Sequence, residues 1–402
     1  MKWLIVEDAL KDRKGHWAEY VETFRVGLSG LGDEVTILAD HNAEEFITEG
    51  IQAKPLLPAS IWHRMSDESS RMRRYGRVPY HAWKTIQVMK RWLRTNPAPE
   101  VIFVPTVLVH HLLAWYWLIR FGIVPPESRV LLFFPNMPLQ LSDDGHAVWT
   151  GGPTTKLLGL LFAALKPFVH TKRVIVGVET YPMQTALGQL TGLSVTYLPH
   201  PVRSATIESA TLDRPITLAC YGAARLEKGS NILQLAVAGF LAEERDIAAK
   251  FVIQWIDDFQ DQNGQLVQPR TDLEESGKVE FIRRYFRDGE YAKQLSETDV
   301  IMLPYQRHAY NVRVSRVVIE AMIQGLPVIA TNQTTMSDQL EEFGAGITFC
   351  DGSLDELVSG IKKAVSSFSE LRAQAIARQE KAQRHFSVSN FRSLLRKHIE
   401  VH

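Results

Sequence analysis

One rhythm runs through this chain twice, and it constrains the fold more than any other feature. Short apolar, β-rich runs alternate with helical patterns. In the first half the runs fall at 2–6, 34–38, 101–104, 130–134, 174–178 and 195–198, with a helix expected over 16–32. They resume at 216–221, 250–255, 279–282, 300–303 and 327–330. Strands separated by helices predict a mostly parallel sheet with covered faces. Between the halves, Pro199, His200, Pro201 and Val202 lead into a polar stretch, 203–214, with no clear period. Two α/β patterns joined at a Pro-rich break predict two Rossmann-like domains. Open α/β sheets bind ligands beyond the carboxyl ends of their strands, so the residues that matter should follow the runs.

A chain of 402 residues suits two domains, each with a real core. Lys plus Arg and Asp plus Glu both total 45, which gives no support to nonspecific nucleic-acid binding. The two cysteines, Cys220 and Cys350, are too few and too far apart for a disulfide framework, so a reducing cytosol is the simpler setting. The apolar start, residues 1–6, is too short for a signal peptide. Residues 106–122 carry His110, His111 and Arg120, and 157–169 are interrupted by Lys166 and Pro167. A spanning helix needs about 20 clean apolar residues, so both stretches read as buried helices.

Two segments of the second half carry chemistry. Gly222, Arg225, Lys228 and Gly229 follow the run 216–221 and precede a helical pattern starting near Ser230. Cationic side chains beside a helix N-terminus suit a diphosphate, although a solvated charged turn has the same composition. The second segment spans 300–331. A strand ends at Pro304 and Tyr305, and a polar loop follows. A helix then starts near Ser315, and Gly325 and Pro327 end it. Glu320 lies among Val317, Val318, Ile319, Ala321 and Met322. A buried carboxylate needs partners, and ribose hydroxyls would serve; a surface glutamate is the plainer reading.

Together these segments resemble the glycosyl transferases group 1, the family-4-like retaining enzymes of the GT-B fold. That family carries a glycine followed by Lys-Gly after the first strand of its second domain, here Gly222 to Gly229. It also carries a Glu-Ala stretch ending in Gly-x-Pro-Val-Ile-Ala, here Glu320 to Ala330. The resemblance implies two Rossmann-like domains facing each other across a cleft. Residues 1–200 would bind the acceptor and 214–384 the nucleotide-sugar donor, with the C-terminal helix of 385–402 returning to the first domain. It implies that Arg225 and Lys228 hold the diphosphate without a metal or other cofactor, and that Glu320 binds the ribose. Tyr285 and Phe286, in the loop after 279–282, would line the base pocket. One departure is Val312, which stands where the group often has a second glutamate. The backbone amides of Ser315 and Arg316 would then face the phosphates.

In the first half, Gly15 and His16 precede the first helix, where the resemblance places a glycine loop beside the substrates. His16 at a helix start is equally at home in a structural role. Thr106, His110, His111, Asn136, Glu179 and Thr180 follow later strands. Asn136 falls where many relatives have a histidine, and an amide cannot act as a base. Residues 64–94 hold nine Arg or Lys. Lys84, Gln87, Arg91 and Arg94 form one helical stripe, and Trp83, Ile86, Met89 and Leu93 lie near another. This pattern fits an anionic membrane surface, a lipid-diphosphate acceptor, or a solvated face over a core helix.

The expected reaction is sugar transfer to a hydroxyl of a glycan, a lipid-linked glycan or a small metabolite. Alternatives are a GT-B epimerase or phosphorylase, or an inactive GT-B binding protein. A receiver domain is excluded despite Glu7 and Asp8, because 51–61 lack a phosphoacceptor aspartate.

Overall fold

A computed structural model describes residues 1–13, 17–61, 71–142, 144–203, 214–244, 247–287 and 289–400, with 71–75 as backbone alone. The chain divides into two compact units, Met1–Pro201 with Ser387–His402, and Val202–Phe386.

The first unit holds a seven-stranded parallel sheet. Its order is Lys54–Leu57, Glu34–Asp40, Lys2–Val6, Val101–Val104, Arg129–Phe133, Val174–Val178, Val195–Tyr197. The inner strands are buried along nearly their whole length, because helices cover both faces and no alternation is needed. The helix Trp17–Gly30 seals one face through Val21, Phe24 and Leu28. The C-terminal helix Val388–Glu400 seals the same core through Phe391 and Leu395, and Phe391 packs edge-on against Phe24 at 4.7 Å. Its Arg392 reaches Asp33 with two bonds, 2.6 and 2.7 Å long.

The second unit holds a six-stranded parallel sheet. Its order is Val279–Ile282, Ala249–Gln254, Ile216–Cys220, Val300–Leu303, Val328–Thr331, Gly346–Phe349. In chain order this is 3-2-1-4-5-6, the doubly wound arrangement. The first six strands of the other sheet follow the same order. Each sheet therefore reverses direction between its first and fourth strands, and the loops beyond those strands form the natural ligand crevice.

The apolar stretches near 106–122 and 157–169 are the helices Val109–Arg120 and Pro153–His170. Pro167 does not end the second one. It sits in the final turn, so it removes one i→i−4 bond and the helix runs on only to His170. Two strands of the parallel sheets escaped the periodicity, Lys54–Leu57 and Gly346–Phe349, as did two short antiparallel pairs, Leu139–Leu141 with Ala147–Trp149 and Phe259–Gln260 with Leu266–Val267. The first two are short edge strands, and Lys54–Leu57 contains Pro55, which only an edge tolerates.

Candidate functional site

In the second unit, the first strand ends at Cys220 and the chain turns at Gly222, whose φ is +98°. The Gly222 N–H donates to Gln254 Oε1 at 2.7 Å, and Gln254 Nε2 donates to the Arg284 carbonyl at 3.0 Å. One amide side chain thus ties the glycine loop to the loop after Val279–Ile282. A 3-10 turn, Leu226–Lys228, leads to Gly229 and the helix Ser230–Glu243. Gly229 is required by contact: a Cβ there would lie 1.9 Å from the Pro304 carbonyl oxygen, at the end of the fourth strand.

Lys228 turns back over this loop. A Cβ on Gly222 would stand 2.3 Å from its Nζ, and the ammonium lies 5.6 Å from the centre of the Tyr305 ring. Burial draws the Lys228 pKa below its ordinary value. Arg225 differs from expectation, because its guanidinium is 60% exposed and stands 3.7 Å from Glu227.

Glu320 is 5% exposed, on the helix Arg316–Ile323. The surface-glutamate reading is therefore wrong, and its partners are supplied by the fold itself. Arg316 Nε donates to Oε1 at 2.7 Å, and the Tyr291 hydroxyl donates to Oε2. Burial and the Glu320 charge push the Tyr291 phenol far up. Ser315 is buried at the N-cap, without a side-chain cap bond. Of these groups Lys228 lies over the Tyr305 ring, and burial pushes the Tyr305 phenol far up. Phe286 stacks edge-on against Tyr221, with centroids 5.8 Å apart, and Tyr285 is 62% exposed. Val312 is buried. A cavity of about 380 Å³ lies beside Arg283, Arg284 and Phe286, and neither Lys228 nor Glu320 lines it.

In the first unit, Gly15 and His16 lie outside the described residues. Asn136 is exposed, and Thr180 caps the helix Tyr181–Thr191 by accepting from Met183 N at 3.1 Å. Other residues converge beyond the first and fourth strands. Three imidazole Nε2 atoms surround Asp8 Oδ2: His111 at 2.8 Å, His81 at 3.2 Å and His110 at 3.8 Å. All four residues are buried, and these atoms lie within 4.8 Å of one another.

Such convergence suits a metal, yet the hydrogen bonds call for protons. Leu108 N–H donates to His111 Nδ1 at 3.1 Å, which assigns the His111 proton to Nε2, facing Asp8. His81 Nε2 meets the Ala59 carbonyl at 3.1 Å, which requires an N–H. The His110 and His111 ring centroids are 3.8 Å apart. Two imidazoles on one tetrahedral ion, with bonds of about 2 Å, would stand about 5 Å apart. This is a carboxylate–histidine network. Burial opposes ionisation of Asp8, but the His111 and His110 nitrogens hold its carboxyl far below the usual range. Burial and His111 bring His110 down to about 3. Burial also disfavours the His111 cation, but Asp8 outweighs it and raises that group.

Beside the network, burial and the Asp8 charge push the Glu7 carboxyl up to about 7. Glu179 Oε1 accepts from His200 Nδ1 at 2.6 Å, and the His200 ring stacks on Tyr20 at 4.7 Å. Glu7 Oε2, the Tyr20 hydroxyl and His200 Nε2 are buried without a hydrogen-bond partner among the described residues. The sequence reading named His110, His111 and Glu179 only as residues after strands. It named Glu7 and Asp8 only in excluding a receiver domain and His200 only in the Pro-rich break, and it gave no site role to Tyr20, His81 or, in the second unit, Gln254 and Tyr291. The available signal was a polar residue closing an apolar strand, as in Glu7, Glu179 and Gln254.

Many solved structures span this chain, among them the following three. A sucrose-phosphate synthase from Thermosynechococcus elongatus aligns with a TM-score of 0.65 and 15% identity, covering 99% of both chains. HepE from Anabaena, in complex with UDP, aligns at 0.63 and 14%, again covering 99% of both. A glycosyltransferase from Rickettsia africae aligns at 0.62 and 12%, covering 99% of this chain and 97% of that one. At such identities the likeness shows the fold, which is GT-B. No curated protein matches the chain. Residues 204–382, which hold Gly222, Lys228 and Glu320, match the family model for glycosyl transferases group 1. The chain is a glycosyltransferase of the GT-B fold, and its residues 204–382 match the glycosyl transferases group 1 model.

Proposed function

We propose that the chain moves a sugar from a nucleoside-diphosphate sugar to an acceptor hydroxyl, holding the donor in its second unit and the acceptor in its first. The observation that carries this reading is the Lys228 ammonium over Gly222, just before the helix Ser230–Glu243. A cation beside helix N–H groups is the chemistry a diphosphate requires. Glu320 fits the ribose: Arg316 and Tyr291 fix its plane, and a carboxylate has about four acceptor positions in all. HepE, solved with UDP and with UDP-glucose, supports a nucleotide-sugar donor.

The finer reading is transfer with retention and without a metal. As the bond from sugar to diphosphate breaks, the leaving oxygen gathers negative charge. Lys228, with Arg225 swung in from solvent, stabilises that charge, and the leaving oxygen takes the acceptor proton as the new bond forms. The acceptor is a glycan, a lipid-linked glycan or a small metabolite. No described helix is long and apolar enough to cross a membrane. The exposed stripe of Lys84, Gln87, Arg91 and Arg94 supports a peripheral contact with an anionic surface.

Thermal-shift and hydrolysis assays with UDP-, GDP- and ADP-sugars, in the presence of EDTA, test the proposal. One base should stabilise the protein and its sugar should be released, with both effects lost in Lys228→Met and weakened in Arg225→Ala. Protection by no nucleotide would refute the donor reading. Sugar inversion seen by NMR without an acceptor would favour an epimerase.

A further inference from the structure

We infer that the helix Phe368–His385 holds Glu320 in register with the donor ribose, with Arg372, Gln379 and Gln383 as positioning residues; the inference rests on the reading of Glu320 as the ribose ligand. The helix that carries Glu320, Arg316–Ile323, has only eight residues. So short a helix is not stable by itself, and its place is set by what packs on it. Gly325, with φ +65°, ends it, and the inner strand Val328–Thr331 follows almost at once.

A helix leaves its last carbonyls without partners of its own. The turn itself satisfies two of them: the Ala321 carbonyl accepts from Leu326 N at 2.8 Å, and that of Met322 from Gly325 N at 3.1 Å. The next three carbonyls are taken by side chains of the other helix. Gln379 Nε2 and Gln383 Nε2 both donate to the Ile323 carbonyl, at 3.0 and 2.8 Å. Arg372 Nη1 donates to the Gly325 carbonyl at 2.5 Å and reaches that of Gln324 at 3.4 Å. A cation at a helix C-terminus also suits the helix dipole.

Arg372, Gln379 and Gln383 fall on one stripe of their helix, two turns and then one turn apart. Ile376 lies on the same stripe, and a Cβ on Gly325 would stand 3.3 Å from its Cα. Ala382, fully buried, joins the apolar cluster of Val318, Ile319, Met322 and Ile323. The carbonyls held by the stripe begin one turn beyond Glu320. Arg316 bonds the carboxylate from the same helix and moves with it, whereas the stripe ties that helix to a separate element. An O–H···O bond spans about 2.5–3.0 Å, so a shift of the helix by about 1 Å breaks a bond from ribose to Glu320.

A control lies on the same helix. Arg378 Nη1 donates to the Gly344 carbonyl at 2.6 Å and to that of Glu341 at 3.0 Å, at the end of the helix Thr335–Phe343. These bonds fasten Phe368–His385 to a neighbour that does not carry Glu320.

The experiment uses the full chain with UDP, GDP and ADP and with their 2′,3′-dideoxy forms, each Kd being read by calorimetry beside a melting curve. The ratio of dideoxy to ribose Kd isolates the ribose contacts; a loss of stability alone weakens both forms and leaves the ratio in place. The parent should prefer one ribose nucleotide by about ten-fold or more, as hydrogen bonds to a charged group give, and Glu320→Ala should bring the ratio close to one. Arg372→Met and Gln379→Met/Gln383→Met should each lower the ratio by about three-fold or more. Arg372→Lys, which keeps a cationic donor, should recover part of it, and Arg378→Met should keep the parent ratio whatever its Tm. Each glutamine is also replaced singly, so that a double variant that fails to fold leaves two others to measure. A ratio unchanged in the Arg372 and glutamine variants, or lowered as much in Arg378→Met, would overturn the inference. The two failures are distinct: a parent ratio that survives Glu320→Ala removes the ribose reading and this inference with it, whereas a ratio lost in Glu320→Ala but kept in the stripe variants removes the positioning role alone.

Discussion

The ammonium of Lys228 occupies the space in which a side chain at Gly222 would begin, 2.3 Å from the position of its Cβ. The two residues are six apart in sequence, and the lysine reaches back over the loop because the glycine has nothing to exclude it.

Gly222→Ala should therefore displace the lysine. The added methyl meets the far end of a flexible chain, but the backbone there has φ +98°, which an alanine adopts at a cost of about 1 kcal/mol. Nucleotide affinity should fall at least ten-fold with only a few degrees lost in Tm. An unchanged Kd by calorimetry would separate the glycine from the lysine's role.

Lys228→Met keeps the stem and removes the charge. Turnover of the donor should fall about 100-fold or more, in the range seen when a single transition-state donor is deleted. The variant should fold normally, since burial already disfavours the ammonium. Steady-state kinetics beside a melting curve test both statements.

Glu320→Ala removes the carboxylate paired with the Arg316 guanidinium, which is 11% exposed. Losing one member of a buried pair costs about 3 kcal/mol or more, whereas Tyr291→Phe removes one hydrogen bond and should cost about 1–2 kcal/mol. Denaturant melts resolve that difference. Both variants should also weaken nucleotide binding if the carboxylate faces ribose.

Glu7 gives a pH dependence of definite sign. Its folded pKa, about 7, lies above the ordinary 4.5, so the folded chain holds a proton that the unfolded chain releases between those values. Stability from this group is present below pH 4.5 and declines as pH rises to 7, by about 3 kcal/mol at most. Glu7→Gln should match the parent near pH 4.5 and exceed it near pH 8. An equal Tm difference at both pH values would refute the assignment.

Asp33 has the opposite sign. Burial raises its carboxyl, but Arg392, the chain's first amine and Trp3 outweigh it and bring the pKa to about 2. Its contribution is complete above pH 3.8 and fades as pH falls through 2. Asp33→Ala should cost about 3 kcal/mol at pH 7, because it strands Arg392 on the terminal helix, and the gap should close toward pH 2.

What the sequence determined by itself was local. The fully apolar strands Val101–Val104, Val174–Val178 and Val300–Leu303 announce buried parallel positions because no face of them meets water. Gly222 is legible because its positive φ is a local demand of the turn, whereas the contact that requires Gly229, with the Pro304 carbonyl, is tertiary. The two-fold α/β rhythm gave the fold class for the same reason, since it reflects the geometry of neighbouring residues. The edge strands Lys54–Leu57 and Gly346–Phe349 were not legible, because half-exposed strands lack the unbroken apolar run. Tertiary structure alone decided which polar residues meet. Asp8, His81 and His110 with His111 are separated by tens of residues, and strand order brings them to one carboxylate oxygen. It also decided that Glu320 is buried with Arg316 and Tyr291, and that Arg225 faces solvent. A buried charge is stable only with its partners in place, and packing sets those partners at distances along the chain that no local period encodes.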